Sequence, residues 1–250
     1  MELHSIAIAT VAYYLAGIIS VSVGGASLVT IPLLIFLGMS GKAAIATNMF
    51  TLIFLSVSGA VGLREKIEPK YTGFIAVSVV LTAIGSLIGA RYLIAFNEHM
   101  LEKFLAVIIF VFIPIFFLNK DLGIKERTGK ASVLTLSSVG ILVFMLGVYG
   151  GFFSGGYMML LSYVLILGLG LDFLQTAVIT KILNAFSSLA ACMVFFGSDL
   201  IDMRIALPLS ISISIGAFSG SKLALRKGTV WVRKAFITVA VLLAVKLLFL

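Results

Sequence analysis

The stretch SVGGASLVTIPLLIFLG, residues 22–38, places a glycine pair before twelve mostly apolar residues and one further glycine. Twelve helical residues rise only about 18 Å, whereas the hydrocarbon core of a bilayer is about 30 Å thick. This segment is therefore too short to span a membrane as an ordinary helix. Its relation to the longer segments around it decides the topology of the chain.

The composition of the whole chain indicates a membrane protein. Of its 250 residues, 61% are hydrophobic and only 11% are charged, and the mean hydropathy is +1.23. A soluble domain of this length could not bury so much apolar surface. Because the apolar runs are long and unbroken rather than alternating, they favour helices over a β-barrel. We predict an all-α polytopic membrane protein with no soluble domain.

The apolar runs fall into two length classes. Two short pieces, 26–37 and 157–170, each directly follow a long segment and a glycine pair. The long candidates for membrane spans are 4–23, 43–63, 71–91, 101–118, 131–153, 174–197, 204–222 and 230–250.

The short pieces belong to an internal repeat. Four sets of residues recur in the same order at offsets of 131 to 134: Gly24-Gly25 with Gly155-Gly156, Thr47 with Thr180, Glu68 and Lys70 with Asp202 and Arg204, and Gly85, Gly89 and Arg91 with Gly216, Gly220 and Lys222. Four ordered matches indicate a duplication. We therefore divide the chain into a first transmembrane repeat, 1–118, a polar cytoplasmic linker, 119–130, and a second transmembrane repeat, 131–250. Each repeat has four long segments and one short one.

The basic residues of the loops discriminate between two topologies, because they favour the cytoplasmic side of a membrane. If the short segments do not cross, these residues divide eight to eight between the two sides; if they cross, the division is twelve to four. This asymmetry favours five plus five segments, which makes the halves an inverted repeat with both termini outside. The alternative is eight spans, in which the glycine-rich segments are re-entrant or only bent.

Matched glycine-interrupted segments are the sequence signature of a substrate site in secondary transporters. The start of a broken helix presents free N–H groups and a partial positive charge, which suit an anion. We expect the two short segments to meet near the bilayer midplane, with Gly24, Gly25 and Ser27 in the first half and Gly155 and Gly156 in the second as substrate contacts. The alternative is that these glycines only allow helices to pack closely.

The segment after each short piece carries polar residues inside an apolar run. These are Thr47 and Asn48 in the first half and Thr180, Lys181 and Asn184 in the second. A charge at such a depth costs at least a few kcal/mol unless it has water, a partner or a substrate. All ten acidic residues lie in loops or at segment ends, so a carboxylate partner for Lys181 is not expected and an anionic substrate is. The alternative is a lysine that snorkels to the lipid headgroups.

Signals for other function classes are weak. The chain has one cysteine and two separated histidines, and it lacks the G-x4-GK[ST] pattern of ATP-driven pumps. We expect no catalytic residues, cofactor or metal. The net charge of +8 comes from short loops between apolar runs, so the expected partners are a small anion and membrane lipids rather than nucleic acid. A homodimer is among the expected assemblies.

The order of the motifs resembles the TauE/SafE family of sulfite exporters, also called the TSUP family, over nearly the whole chain. The first half carries GGAS, P, LG, ATN, SG and GAR, and the second carries YGGFFSGGY, TKILN and IGAFSGSK, although both glycine runs are shorter than the family often has. The resemblance implies a permease of the cytoplasmic membrane for sulfite or related small sulfur-containing anions such as organosulfonates. It also implies functional roles for Gly155, Gly156, Thr180, Lys181 and Asn184. The alternatives are a small-anion channel and a non-transporting membrane subunit.

Overall fold

The computed structural model describes residues 3–97, 100–101 and 133–248, and it describes side chains within 6–20, 24–97, 100–101 and 134–228. The predicted segment 101–118 lies outside the described residues apart from Leu101. Two 3-10 turns, Arg64–Lys66 and Pro69–Tyr71, connect the third helix to the fourth. The described α-helices are α1 Leu3–Val23, α2 Ser27–Phe36, α3 Gly41–Gly62, α4 Thr72–Ala95, α5 Val133–Phe152, α6 Tyr157–Leu169, α7 Phe173–Phe196 and α8 Met203–Leu248, which is interrupted at Gly228.

Five of these helices are long and apolar enough to cross a membrane, by length and composition: Gly41–Gly62, Pro69–Ala95, Leu134–Phe152, Phe173–Phe196 and Met203–Gly228. Their outer faces are apolar as well. On α4, for example, Val77, Val80, Ile84 and Ile88 are exposed at helical spacing. Because water would penalise such a surface and lipid would not, the prediction of an integral, multi-pass helical membrane protein is confirmed.

Both short segments are helices of reduced length, with 10 residues in α2 and 13 in α6. Glycines in left-handed conformations separate them from the helices before them: Gly24 has φ +65° after α1, and Gly156 has φ +77° before α6. Side chains are strained at such angles, so each chain break depends on a glycine.

Helices of one half pack mainly on helices of the other half. The most extensive contacts join α1 to α8 and α4 to α5. Matched glycines allow the helices of both pairs to approach closely. A Cβ added to Gly220 would lie 2.4 Å from the Ile18 carbonyl oxygen, and a Cβ added to Gly89 would lie 1.9 Å from the Val148 carbonyl oxygen. Since Gly89 and Gly220 occupy equivalent positions in the repeat, the duplication extends to the packing.

Contacts at several levels give the relative directions of the paired helices. Ser212 of α8 contacts Thr10 of α1, and Gly220 contacts Ile18, so α1 and α8 run in the same direction. In α4 and α5, Gly147 lies beside Thr82, and Gly151 lies beside Ser86. These two helices therefore also run in the same direction.

The third helix of each half lies at the centre of the bundle. Along α3, Thr47 contacts Asp202 and Gly62 contacts Ser221, so α3 is parallel to α8 and therefore to α1. In contrast, Ser56 contacts Asn184 of α7 while Gly59 contacts Lys181, so α3 and α7 are antiparallel. The chain must therefore reverse between α1 and α3, over the residues that contain α2. The orientation of the two halves in a membrane stays a prediction.

Candidate functional site

A buried polar cluster surrounds the amide of Asn48 on α3. The amide oxygen accepts hydrogen bonds from Thr30 Oγ1 at 2.7 Å and Tyr13 OH at 3.2 Å, while the amide nitrogen donates to Ser27 Oγ at 3.1 Å and Ser154 Oγ at 3.4 Å. We call these five residues the Asn48 cluster. An amide has two donors and two acceptor lone pairs, so Asn48 uses its whole hydrogen-bonding capacity within the protein.

The Asn48 cluster joins the two chain breaks. Ser27 begins α2 and Ser154 precedes α6, and the Ser154 hydroxyl donates to Ser27 Oγ at 3.1 Å. A Cβ added to Gly24 would lie 2.6 Å from Met158 Cβ of α6. The start of α2 is therefore in contact with the start of α6, so the expected meeting of the two short segments is observed. Its depth in a bilayer stays a prediction.

Lys181 of α7 is buried, with 1% of its surface exposed. Its ammonium donates one hydrogen bond, to the Ser20 carbonyl oxygen at 3.3 Å. Within the described ranges, the salt bridge found is the surface pair of Lys70 and Glu68, and no carboxylate pairs with Lys181. The side chain does not reach the surface of the described fold, which contradicts the snorkelling alternative.

The ammonium of Lys181 lies close to the first chain break. The Ser20 carbonyl oxygen also accepts the Gly24 N–H at 2.8 Å, so the Lys181 and Gly24 nitrogens are at most about 6 Å apart. The residues that follow, 25–27, lead into the first turn of α2. The N–H groups of Leu28, Val29 and Thr30 donate to the carbonyl oxygens of Gly25 and Ala26, whereas no hydrogen bond of the N–H groups of residues 25–27 is found among the described residues. These residues lie between Lys181 on one side and Asn48 on the other. We call residues 24–27 with Lys181 and Asn48 the α2 cradle.

Asn48 and Lys181, which are equivalent in the repeat, do not contact each other. The Lys181 stem lies against Gly59, which is eleven residues from Asn48 on α3, or about 16 Å along the helix. The start of α2 bridges these two positions. The start of α2 thus brings together five of the predicted site residues: Gly24, Gly25, Ser27, Asn48 and Lys181. Gly155 and Gly156 directly follow Ser154 in the chain.

Three of the predicted polar side chains lie outside the cradle and have other hydrogen-bond partners. Thr47 accepts the Asp202 N–H at 3.1 Å, Thr180 donates to the carbonyl of Thr176 in its own helix at 2.9 Å, and Asn184 donates to Ser56 Oγ at 2.7 Å. The Thr180 hydroxyl proton is therefore already used in a hydrogen bond within α7.

Sequence reasoning missed four residues near the site. They are Tyr13, Thr30 and Ser154 of the Asn48 cluster and Gly59 beside Lys181. Ser154 directly precedes the glycine pair 155–156, which was a usable signal. Gly59 is the glycine of the SG motif in the first half, which was a usable signal as well. Tyr13 and Thr30 lie in apolar runs, where nothing local distinguishes them.

The polar side chains of the α2 cradle are buried, whereas Gly24 is partly exposed. The side chains of the Asn48 cluster are at most 4% exposed, and Lys181 is equally buried. A solute can reach these groups only if helices move apart. Among the described residues, no group of three or more metal-ligating side chains is found.

Comparisons with known proteins agree over almost the whole chain. The family model described as sulfite exporter TauE/SafE matches residues 9–247. The probable membrane transporter protein ORF9 of Sinorhizobium sp. is 26% identical over 258 residues, covering 99% of this chain and 94% of that protein. A probable membrane transporter protein of Haemophilus influenzae is 26% identical, covering 94% and 91%, and YfcA of Escherichia coli K12 is 27% identical, covering 94% and 86%. No solved structure matches significantly.

Proposed function

Because the chain belongs to the TauE/SafE sulfite exporter family and is a membrane transporter rather than an enzyme, we propose that it carries sulfite or a related small sulfur-containing anion, such as an organosulfonate, across the cell membrane. The observation that carries this proposal is the buried ammonium of Lys181 at the start of α2. It has a single hydrogen-bond acceptor and no carboxylate partner among the described residues.

The donors that the α2 cradle leaves for an oxyanion are the N–H groups of residues 25–27 and the Lys181 ammonium, because the Gly24 N–H and the Asn48 amide already have partners. The N–H groups at the start of a helix point along its axis toward a bound anion, and the helix dipole adds about half a positive charge there. Lys181 supplies a full charge next to these amides. Sulfite and sulfonates present up to three oxygens that accept but do not donate, so they match a site of backbone N–H groups and an ammonium.

Charge compensation distinguishes an anion from other small solutes. A buried ammonium without a counterion is costly, and an incoming anion removes that cost by pairing with it. A neutral solute would leave the charge uncompensated, and a cation would be repelled. The cradle therefore favours anions through Lys181 and favours oxyanions through the amides.

The burial of the polar side chains of the cradle and the helix directions support transport by alternating access. Since α1 and α3 run in the same direction, α2 returns the chain across the bundle. We propose that the two halves are inverted with respect to each other in the membrane, with the linker 119–130, which lies outside the described residues, in the cytoplasm. Inverted halves around a central site can open first to one side and then to the other. The contacts between α1 and α8 and between α4 and α5 would be retained, and those around α2 and α6 would open.

Counterflow in liposomes tests the proposal. Vesicles preloaded with methanesulfonate or, under anaerobic conditions, with sulfite should accumulate the labelled anion, with saturation. Dimethyl sulfone, which is a neutral molecule of nearly the same shape as methanesulfonate, should not compete. Equal uptake of both would contradict an anion site. Flux without saturation or exchange would indicate a channel, and no flux would indicate a non-transporting subunit.

Variants of two lysines localise the activity. Lys181→Met keeps most of the apolar stem and removes the charge, so it should abolish counterflow, while Lys181→Arg should retain part of it. Lys222→Met is the matched control, because Lys222 is exposed outside the cradle. It should transport at close to the wild-type rate.

A further inference from the structure

Gly59 of α3 lies directly under the side chain of Lys181. A Cβ added to Gly59 would lie 2.5 Å from Lys181 Cδ, 2.6 Å from Cε and 3.6 Å from Nζ. Carbon atoms in protein interiors do not approach this closely, so the lysine stem occupies the space that any side chain at position 59 would fill.

The contact is specific to the lysine. The three atoms nearest to this added Cβ all belong to the Lys181 side chain, whereas at Gly85 and Gly89 they are backbone atoms of α5. Close approach of helix backbones thus explains the glycines of α4. At Gly59, the absent side chain makes room for a side chain from the other half of the protein.

The backbone of α3 is also held at this turn by α8. The Ser221 hydroxyl of α8 donates to the Gly59 carbonyl oxygen at 3.0 Å. One turn later, a Cβ on Gly62 would lie 2.4 Å from Ser221 Cβ, so α3 and α8 are already in close contact. A methyl group at position 59 would therefore displace the flexible lysine stem rather than α3.

From this geometry we propose that Gly59 is a positioning residue, which holds the ammonium of Lys181 at the Ser20 carbonyl oxygen and the start of α2. The inference rests on the proposed function of Lys181 and extends it to a residue that touches no substrate. Displacing the stem moves the charge out of the α2 cradle. Substitution of Gly59 should therefore weaken anion binding while the fold is retained.

The transport test compares Gly59→Ala with Gly140→Ala in the counterflow assay. Gly140 lies within α5, and a Cβ there would meet Leu81 Cδ1 at an ordinary 3.5 Å. Gly59→Ala should raise the half-saturation concentration for methanesulfonate at least tenfold, and Gly140→Ala should change it less than twofold. A wild-type half-saturation concentration in Gly59→Ala would overturn the inference.

A stability cycle tests the contact without relying on transport. In the wild-type background, Gly59→Ala should lower the melting temperature, because the methyl group and the lysine stem compete for one space. In a Lys181→Ala background the space is empty and alanine is the better helix former, so the same change should raise the melting temperature. An equal decrease in both backgrounds would overturn the inference.

These outcomes separate the two proposals. If Lys181→Met transports normally, the proposed anion site is wrong, whatever Gly59→Ala does. If Lys181→Met is inactive while Gly59→Ala binds the anion normally, only the positioning role is wrong. If Gly59→Ala alone fails to fold and the double variant with Lys181→Ala folds, the competition for space is supported directly.

Discussion

The ammonium of Lys181, on α7, donates a hydrogen bond to the carbonyl oxygen of Ser20, near the end of α1, at 3.3 Å. The two residues belong to different halves of the chain. The Ser20 carbonyl oxygen also accepts the Gly24 N–H, and the last carbonyls of a helix carry its partial negative charge. The end of α1 therefore compensates part of the lysine charge without a carboxylate, and it holds the ammonium beside the amides that an incoming anion would use.

Replacing Lys181 with methionine should stabilise the resting protein as it removes transport. A buried charge with one acceptor is costly, and methionine fills a similar space without that cost. We expect the free energy of unfolding to rise by about 1 to 3 kcal/mol, measured by thermal unfolding of the purified protein in detergent. Loss of both stability and transport would instead identify Lys181 as a structural residue.

Asn48→Ala should destabilise the protein far more than Asn184→Ala does. The first change removes the hydrogen bonds of Asn48 to four buried partners, which are Tyr13, Ser27, Thr30 and Ser154. Asn184 has one side-chain partner, Ser56. Each unsatisfied buried group costs about 1 to 3 kcal/mol, although the four hydroxyls can partly re-pair. We expect a loss of about 3 kcal/mol for Asn48→Ala and about 1 kcal/mol for Asn184→Ala. Equal losses would show that the Asn48 cluster opens at little cost.

The matched glycines Gly89 and Gly220 should respond alike to substitution. Each added methyl group would overlap a backbone carbonyl oxygen of the partner helix, and backbone can yield only if the helices separate. We expect each alanine variant to lose about 3 kcal/mol of stability, with Gly140→Ala as the neutral control. If one variant were tolerated and the other were not, the two helix pairs would not be structurally equivalent.

Cross-linking Glu68 to Gln175 should stop transport reversibly. The Gln175 side chain donates to the Glu68 carboxylate, which ties the loop before α4 to the start of α7. The starting variant would lack Cys192, the one cysteine of the natural sequence. Glu68 and Gln175 would then be replaced by cysteines, and a short reducible linker would join the two thiols. Transport should fall to background and return on reduction, while each single-cysteine variant stays active after treatment. Full activity of the cross-linked protein would show that this contact need not open.

The short helices could be predicted from the sequence because their limits are local. The apolar pieces 26–37 and 157–170 agree closely with the helices Ser27–Phe36 and Tyr157–Leu169. Glycines at the breaks fix these limits through backbone conformation, and a glycine pair is visible in the sequence. The repeat was visible for the same reason.

The different surroundings of Asn48 and Lys181 could not be predicted in this way. The two residues are aligned in the repeat, and alignment suggests equivalent roles. Their partners come from distant parts of the chain: Asn48 meets Tyr13 and Ser154, and Lys181 meets Ser20 and Gly59. Neither helical periodicity nor repeat spacing identifies such partners.

The pairing of α1 with α8 and of α4 with α5 also constrains biogenesis. Because synthesis proceeds from the N-terminus, α1 enters the bilayer long before α8, its main partner, has been made. The helix α4 likewise enters before α5, its partner in the second half. The early helices must remain in lipid as separately stable spans, which only later become neighbours. Assembly is therefore completed late, and a chain that ended at the linker would contain half of a bundle with most of its binding surfaces still facing lipid.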